Sequence, residues 1–328
     1  MKFLPEDAVE RLLDPKEAVE VVEEVFRCKP ESVMPPKAIV DLGDGDFRTM
    51  PAYCPDLDVA GVKIVNSHPK DPRAPRPPRR HGRPRPPRSR DRPTHLHHGR
   101  HHPHRPPHRR RLRRRHLATK HLTDDVRTIG IVGTGVQGRY QTLVHAEVFP
   151  VERVLAHDVS SEALEDSRRW VERELGLDVT ELNEPTFDRA DVIITCTPGR
   201  ETVLNADDVP ERCLINAVGA DAPEKRELDD RLLLNATIVV DDRDQCAEAG
   251  EVSDLVRDGR LDKDDLIELA EIVRGEAEVH DDLVIFDTTG IALADVAVGA
   301  HVAEKAERLD VGIEIEPFEL PWTEHARE

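Results

Sequence analysis

Ile129-Gly-Ile-Val-Gly133-Thr134-Gly135-Val136-Gln137-Gly138 decides the fold. A short apolar run ends in the pattern G-x-G-x-x-G and passes into a helix-like segment. The glycines permit a tight turn and close backbone approach. The helix start then offers free N–H groups to a pyrophosphate. The pattern alone is weak. Here a second strand-like run, Arg153-Val-Leu-Ala-His157, ends in Asp158, 20 residues after Gly138. A carboxylate there accepts both ribose hydroxyl protons and repels a 2′-phosphate, which favours NAD over NADP. The candidate cofactor contacts are therefore Gly133, Thr134, Gly135, Val136, Gln137, Gly138 and Asp158. The bland alternatives are a structural glycine turn beside a solvated Asp, and the glycine loop of a methyltransferase.

Outward from this motif the texture is regular. Strand-like runs at Thr128–Val132, Arg153–His157, Val192–Cys196, Cys213–Val218 and Thr237–Val240 alternate with polar helical stretches such as 161–174. That alternation predicts a parallel, doubly wound sheet. Thr195-Cys196-Thr197-Pro198 and Asn216-Ala-Val218-Gly219-Ala-Asp221 lie at the carboxyl ends of two such runs, the edge where ligands bind on open α/β sheets. Thr195, Cys196, Thr197, Val218 and Gly219 join the cofactor candidates, with strand-end capping as the alternative for the two threonines. Upstream, residues 6–27 show 3.6-residue apolar spacing (Val9, Leu12, Leu13, Ala18, Val21, Val22, Val25), which predicts one or two amphipathic helices. Gly61-Val-Lys63-Ile-Val65 is a short β-rich run containing a lysine. Residues 290–309 predict a long amphipathic helix returning to the N-terminal part.

The expected fold class is α/β, a Rossmann-type doubly wound parallel sheet plus a second α+β substrate and dimerisation domain disrupted at 73–116. The expected boundaries are 1–120 for the substrate domain, 121–295 for the nucleotide domain and 296–328 for a returning helix and tail. A length of 328 residues suits two domains. No run of about 18 apolar residues and no signal-peptide stretch appear, so no membrane span is expected. Five scattered cysteines, none in a C-x-x-C pair, argue for a reducing cytoplasm and against a disulfide framework or zinc site.

The net charge of −19 conceals a split. Residues 73–116 hold 17 Arg, 10 Pro and 9 His, carry +16 by themselves, and leave −35 on the other 284 residues. Such an acidic surface suits solubility in a saline cytoplasm, where salt screens the repulsion. It argues against nucleic acid as a partner of the bulk of the protein. The basic block reads blandly as a disordered arm, or as a nucleic-acid tail. Its histidines (His95, His97, His98, His101, His102, His104) have no Asp, Glu or Cys nearby to complete a site, so no metal is assigned.

Met34-Pro-Pro-Lys37, Met50-Pro-Ala-Tyr53, Val62-Lys63-Ile-Val-Asn-Ser-His-Pro-Lys70, the glycine turn, Asn216–Asp221, Glu227-Leu-Asp229 and Phe286–Asp295 together resemble the ornithine cyclodeaminase/mu-crystallin family, including its archaeal-type alanine dehydrogenase branch. The resemblance implies a homodimer that binds NAD and an amino acid or 2-oxo acid. It implies Lys63 as the active-site lysine and Asp221 as the catalytic aspartate. It places Lys37 where the family often has a carboxylate-binding Arg, although Lys gives charge without a bidentate fork. Chemically the charged pair makes sense. Hydride leaves the substrate Cα only from a neutral amine, so a base is needed. The resulting iminium is then attacked by water or an internal amine, which a carboxylate assists. The bland alternatives are an edge-strand lysine and a turn aspartate before Pro223.

The family's cyclodeaminases commonly have a Glu two residues before Met-Pro-Ala, where it holds a distal ammonium. Here that position is Arg48, which favours a small substrate. The leading expectation is an NAD-dependent alanine dehydrogenase (L-alanine, NAD and water to pyruvate, ammonium and NADH). The alternatives are ornithine cyclodeamination to proline, ketimine reduction and non-enzymatic ligand binding.

Block 73–116 has no counterpart in this resemblance, and out-of-frame translation of GC-rich DNA accounts for it better than a basic arm. Read with each hidden residue coded by two bases of one codon and one of the next, Pro77-Pro-Arg-Arg-His81 permits Leu-Pro-Ala-Val-Met, and Arg88-Ser-Arg-Asp-Arg92 permits Asp-Pro-Glu-Thr-Gly. His97-His-Gly-Arg100 permits Ile-Met-Asp-Gly, and Pro103-His-Arg-Pro-Pro-His108 permits Leu-Thr-Ala-Leu-Arg-Thr. These strings resemble the family's missing middle, whose last arginine grips the substrate carboxylate. The polypeptide as written is therefore expected to be inactive or poorly folded, and the gene sequence decides the matter.

Overall fold

The computed structural model describes residues 1–43, 45–67, 118–123, 126–182, 184, 187–198, 201–223 and 225–315. The expectations for 73–116, its histidines included, and for the tail 316–328 lie outside the described residues.

The N-terminal part builds helices and a small sheet. β1 is Lys2–Phe3, followed by helices α1 (Glu6–Leu12) and α2 (Pro15–Cys28). The Asp14 side chain accepts the N–H groups of Lys16 and Glu17 and so starts α2, with Pro15 preorganised at its first position. The inner face of α2 buries Val19, Val22, Val25 and Phe26, as the apolar spacing requires. Strands β2 (Ala38–Asp41), β3 (Asp46–Cys54) and β4 (Val59–Ser67) form an antiparallel sheet in that order. Because side chains alternate across a strand, the register pairing Arg48 with Val65 and Met50 with Lys63 puts these four on one face. Val40, Tyr53, Val62 and Ile64 fall on the other, where all four are exposed.

The large sheet holds β5 (Thr128–Val132), β6 (Arg153–His157), β7 (Asp178–Glu181), β8 (Val192–Thr195), β9 (Cys213–Ala217), β10 (Thr237–Val240), β11 (Ile267–Glu268) and β12 (Leu283–Asp287). Its spatial order is β11-β10-β12-β9-β8-β5-β6-β7 and every pairing is parallel. Strand order reverses between β5 and β8, which is the topological switch point. Helices α3 (Val136–Val148) and α4 (Ser161–Leu175) follow β5 and β6. The short helices α5 (Asp230–Leu234), α6 (Arg243–Ala249), α7 (Ser253–Arg257) and α8 (Leu269–Val273) serve the far half. α4 is capped at both ends, by the Ser160 side chain and by Gly176 at φ 66° just past its end.

The expected strands are present, with two corrections. Val192–Cys196 stops at Thr195 and Cys213–Val218 stops at Ala217, because Cys196 and Val218 turn out of the sheet into a cleft. β7, β11 and β12 were not anticipated. β11 and β7 are too short or too polar to show a period, and β12, buried along most of its length, has no alternation to read.

Helix α9 (Ala292–Arg308) leaves β12 and packs on α1, α2, β3 and β4. A boundary at 295 would cut its first turn. The α9 contact explains Gly61, since a Cβ there would lie 3.0 Å from Val296 Cγ2. β13 (Ile313–Glu314) then pairs antiparallel with β1.

Candidate active site

The small sheet and the carboxyl edge of the large sheet enclose a cleft of about 320 Å³. Lys37, Arg48 and Lys63 reach it from one side. Gly135, Val136, Gln137, Cys196, Thr197, Val218, Gly219 and Asp221 reach it from the other. These residues are far apart in sequence, and topology alone brings them together.

Lys63 on β4 pairs with Asp295 in the first turn of α9, Nζ to Oδ2 at 2.6 Å, and both side chains are largely buried. Charge-assisted bonds of this kind are short and strong. Arg48 grips Asp46 with Nε and Nη2 at 2.7 and 2.9 Å, and its Nη1 stands 3.8 Å from Asp221 Oδ2. The other Asp221 oxygen accepts from Lys225 Nζ at 2.6 Å. Lys37 Nζ donates to the Thr289 carbonyl at 3.3 Å. One carboxylate thus stands among cations, opposite a glycine turn.

The turn itself has the geometry a dinucleotide needs. Gly133 has φ +92°, a left-handed conformation that L side chains rarely adopt, and its N–H donates to His157 O at 3.0 Å. A Cβ on Gly138 would lie 2.2 Å from Gly133 O, so the first turn of α3 packs directly on β5. A Cβ on Gly135 would meet no protein atom within 4 Å and would instead fill the open cleft. That leaves open space at the start of α3, where the N–H groups of a helix's first turn can hold a phosphate.

Five sequence candidates sit outside the cleft lining: Gly133, Thr134, Gly138, Asp158 and Thr195. Asp158 Oδ2 accepts the Thr134 N–H and hydroxyl at 2.7 and 2.9 Å, and its Oδ1 accepts the Ser160 N–H at 2.9 Å. It stands where β6 ends, beside the glycine turn. Thr195 is fully buried and donates to Glu227 Oε2 at 2.7 Å, so its hydroxyl serves the scaffold.

Sequence reasoning missed the rest of the cleft: Met50, Val65, Pro198, Lys225 and Thr288-Thr289-Gly290. It also missed the supports. Buried Asp241 accepts from Thr288 Oγ1 and Gly290 N, each at 2.7 Å, and holds the loop after β12. Glu227, Glu251 and Asp287 are buried close by. Burial raises the Glu227 carboxyl above its usual range, opposed by donated hydrogen bonds. Burial, with the Glu227 and Asp287 charges, raises Glu251 well above its own. Burial pushes Asp287 up to about 7. The segments Glu227–Asp229 and Phe286–Asp295 had signalled kinship without suggesting these roles. Among the described residues no His/Cys/Asp/Glu cluster fit for a metal is present, and no helix is long and apolar enough to cross a membrane.

An all-parallel doubly wound sheet, a glycine turn at its switch point and a charged cleft at its carboxyl edge define a Rossmann-type dinucleotide-binding protein. More narrowly, the chain belongs to the ornithine cyclodeaminase/mu-crystallin family, whose profile matches residues 2–81 and 115–309 and leaves out 82–114. It is 32% identical over 333 residues to an alanine dehydrogenase of Archaeoglobus fulgidus, covering 97% of this chain and 99% of that one. A Δ1-pyrroline-2-carboxylate reductase of Bacillus cereus is 29% identical over 210 residues, 61% of this chain and 64% of the other. An archaeal alanine dehydrogenase dimer solved with bound NAD superposes with a TM-score of 0.80 at 30% identity, covering 97% and 99% of the two chains.

Proposed function

We propose that this site is that of a cytoplasmic, NAD-dependent amino-acid dehydrogenase converting L-alanine, NAD and water to pyruvate, ammonium and NADH. The observation that carries the reading is the single cleft joining Lys37, Arg48, Lys63 and Asp221 to the glycine turn at Gly135. The first turn of α3 holds the pyrophosphate, Asp158 takes the adenosine ribose, and Cys196, Thr197, Val218 and Gly219 flank the nicotinamide. When bound, the nicotinamide accepts the hydride from the substrate Cα.

The chain's own residues do the rest. Lys37, Arg48 and Lys63 supply the positive wall that faces the substrate carboxylate. Asp295 balances the Lys63 charge, so Lys63 acts as cation and hydrogen-bond donor. Asp221 takes the proton that leaves the substrate amine and then orients the water that attacks the iminium carbon. Arg48 standing against Asp221 repels a second ammonium, which favours alanine over ornithine.

The exposed apolar face of the small sheet (Val40, Tyr53, Val62, Ile64) supports a homodimer, the state described for the archaeal alanine dehydrogenase. The division into a substrate domain from the two chain ends and a nucleotide domain between them rests on α9 packing against α2 and the small sheet.

Two forms test the assignment: the chain as written, and one with the alternate frame restored through 73–116. The restored chain is expected to produce NADH with alanine. Proline formation from ornithine without net NADH would move the assignment to a cyclodeaminase, and reduction of a cyclic imine to a ketimine reductase. Full activity of the chain as written would refute the expectation that it is inactive or poorly folded, while the gene sequence decides the frame reading.

A further inference from the structure

We infer that Glu227 is a positioning residue for the nicotinamide half of the cleft, fixing from behind its wall the spacing of the loops that follow β8 and β9. The inference rests on the dinucleotide reading above. Glu227 is fully buried, yet its carboxylate spans two neighbouring strand ends. Oε2 accepts from Thr195 Oγ1 and Gly219 N, each at 2.7 Å, and Oε1 accepts from Thr197 N at 2.6 Å. Thr197 and Gly219 themselves line the cleft.

The clamp is rigid because its own backbone is pinned. The Glu227 N–H donates to the Glu251 carboxylate at 2.9 and 3.1 Å, and the Glu227 carbonyl accepts from Val203 N and Leu204 N at 2.8 and 3.1 Å. The contact at Gly219 leaves no slack, since a Cβ there would fall 2.4 Å from Glu227 Cδ. The glycine turn is supported separately, by Gly133 N to His157 O and by Thr134 to Asp158. Each half of the dinucleotide therefore rests on its own set of bonds. Loss of Glu227 should loosen the nicotinamide half and leave the adenosine half intact.

The substitution Glu227→Gln tests this. A glutamine has one acceptor oxygen and sets an NH₂ against the Thr197 or Gly219 N–H, leaving a buried donor unpaired. NADH and ADP-ribose, which lacks the nicotinamide, are titrated against the full-length chain by calorimetry. The expected result is an NADH affinity about tenfold lower, with ADP-ribose changed by less than about twofold. Equal losses for both ligands, or an unchanged NADH affinity, overturn the inference. Should E227Q fail to fold, Thr195→Val removes one donor at nearly constant volume. A drop of about threefold for NADH alone is then expected, and an unchanged NADH-to-ADP-ribose ratio overturns the inference. The titrations use both the chain as written and the frame-restored chain, and if neither unsubstituted form binds either ligand, the dinucleotide reading falls first and this inference with it. The variant outcomes strike the inference alone.

Discussion

Replacing Asp287 by Asn should stabilise the protein in a way that depends on pH. Asp287 ends β12 and is fully buried. Its Oδ2 accepts Val252 N at a long 3.3 Å, and its Oδ1 has no hydrogen-bond partner. Burial raises its pKa from 3.8 to about 7, with the Asp241 and Glu227 charges adding to the effect. A raised carboxyl pKa means that the folded state holds the proton more tightly than the unfolded chain. The neutral acid is therefore harmless below pH 3.8, stability falls as pH rises towards 7, and the full penalty stands above that. At about 1.4 kcal/mol per pH unit across that interval, the penalty reaches roughly 4 kcal/mol. Asn is never charged, so D287N should match the parent near pH 4 and gain about 4 kcal/mol by pH 8, an order of 5–10 °C in Tm. Thermal melts of both proteins across this range at fixed salt are the assay. An Asn variant whose advantage is the same at both ends, or absent at pH 8, would refute the reasoning.

Gly135→Val should leave Tm within about 1 °C, because its side chain enters open space, yet weaken NADH binding by about two orders of magnitude by filling that space; fluorescence titration checks both ligand and fold. Asp295→Asn removes the carboxylate charge 2.6 Å from the Lys63 ammonium, and a loss of about 1–3 kcal/mol in stability is expected from denaturant titration. Val62→Glu combined with Ile64→Glu places two charges on the exposed face of the small sheet, and the proposed homodimer requires sedimentation to show a smaller species than the parent. Gly133→Ala forces an L residue to φ +92°, and a cost of about 1–2 kcal/mol should appear in the same titration.

The nucleotide half was legible because its signals are local. The glycine turn and the strand ending at Asp158 each occupy a few consecutive residues. The residues of the cleft were legible one at a time, as Lys63, Asp221, Lys37 and Arg48, but not as pairs. That Lys63 meets Asp295, 232 positions away, follows from where α9 packs, and no period in the sequence encodes it. Glu227 and Asp241 were invisible for a related reason. A buried carboxylate that accepts backbone N–H groups looks, in a sequence, like any surface acid in this strongly acidic chain.

Helix α9 starts at the rim of the cleft, just after Thr288-Thr289-Gly290, and its body lies against α2 and the small sheet. It therefore works as a tie-rod, bolted at one end by Asp241 through Gly290 and by Asp295 through Lys63. Gly290, bonded to Asp241 and at φ 85°, is the one residue without a side chain between β12 and α9, so a change in the angle between them meets least steric resistance there.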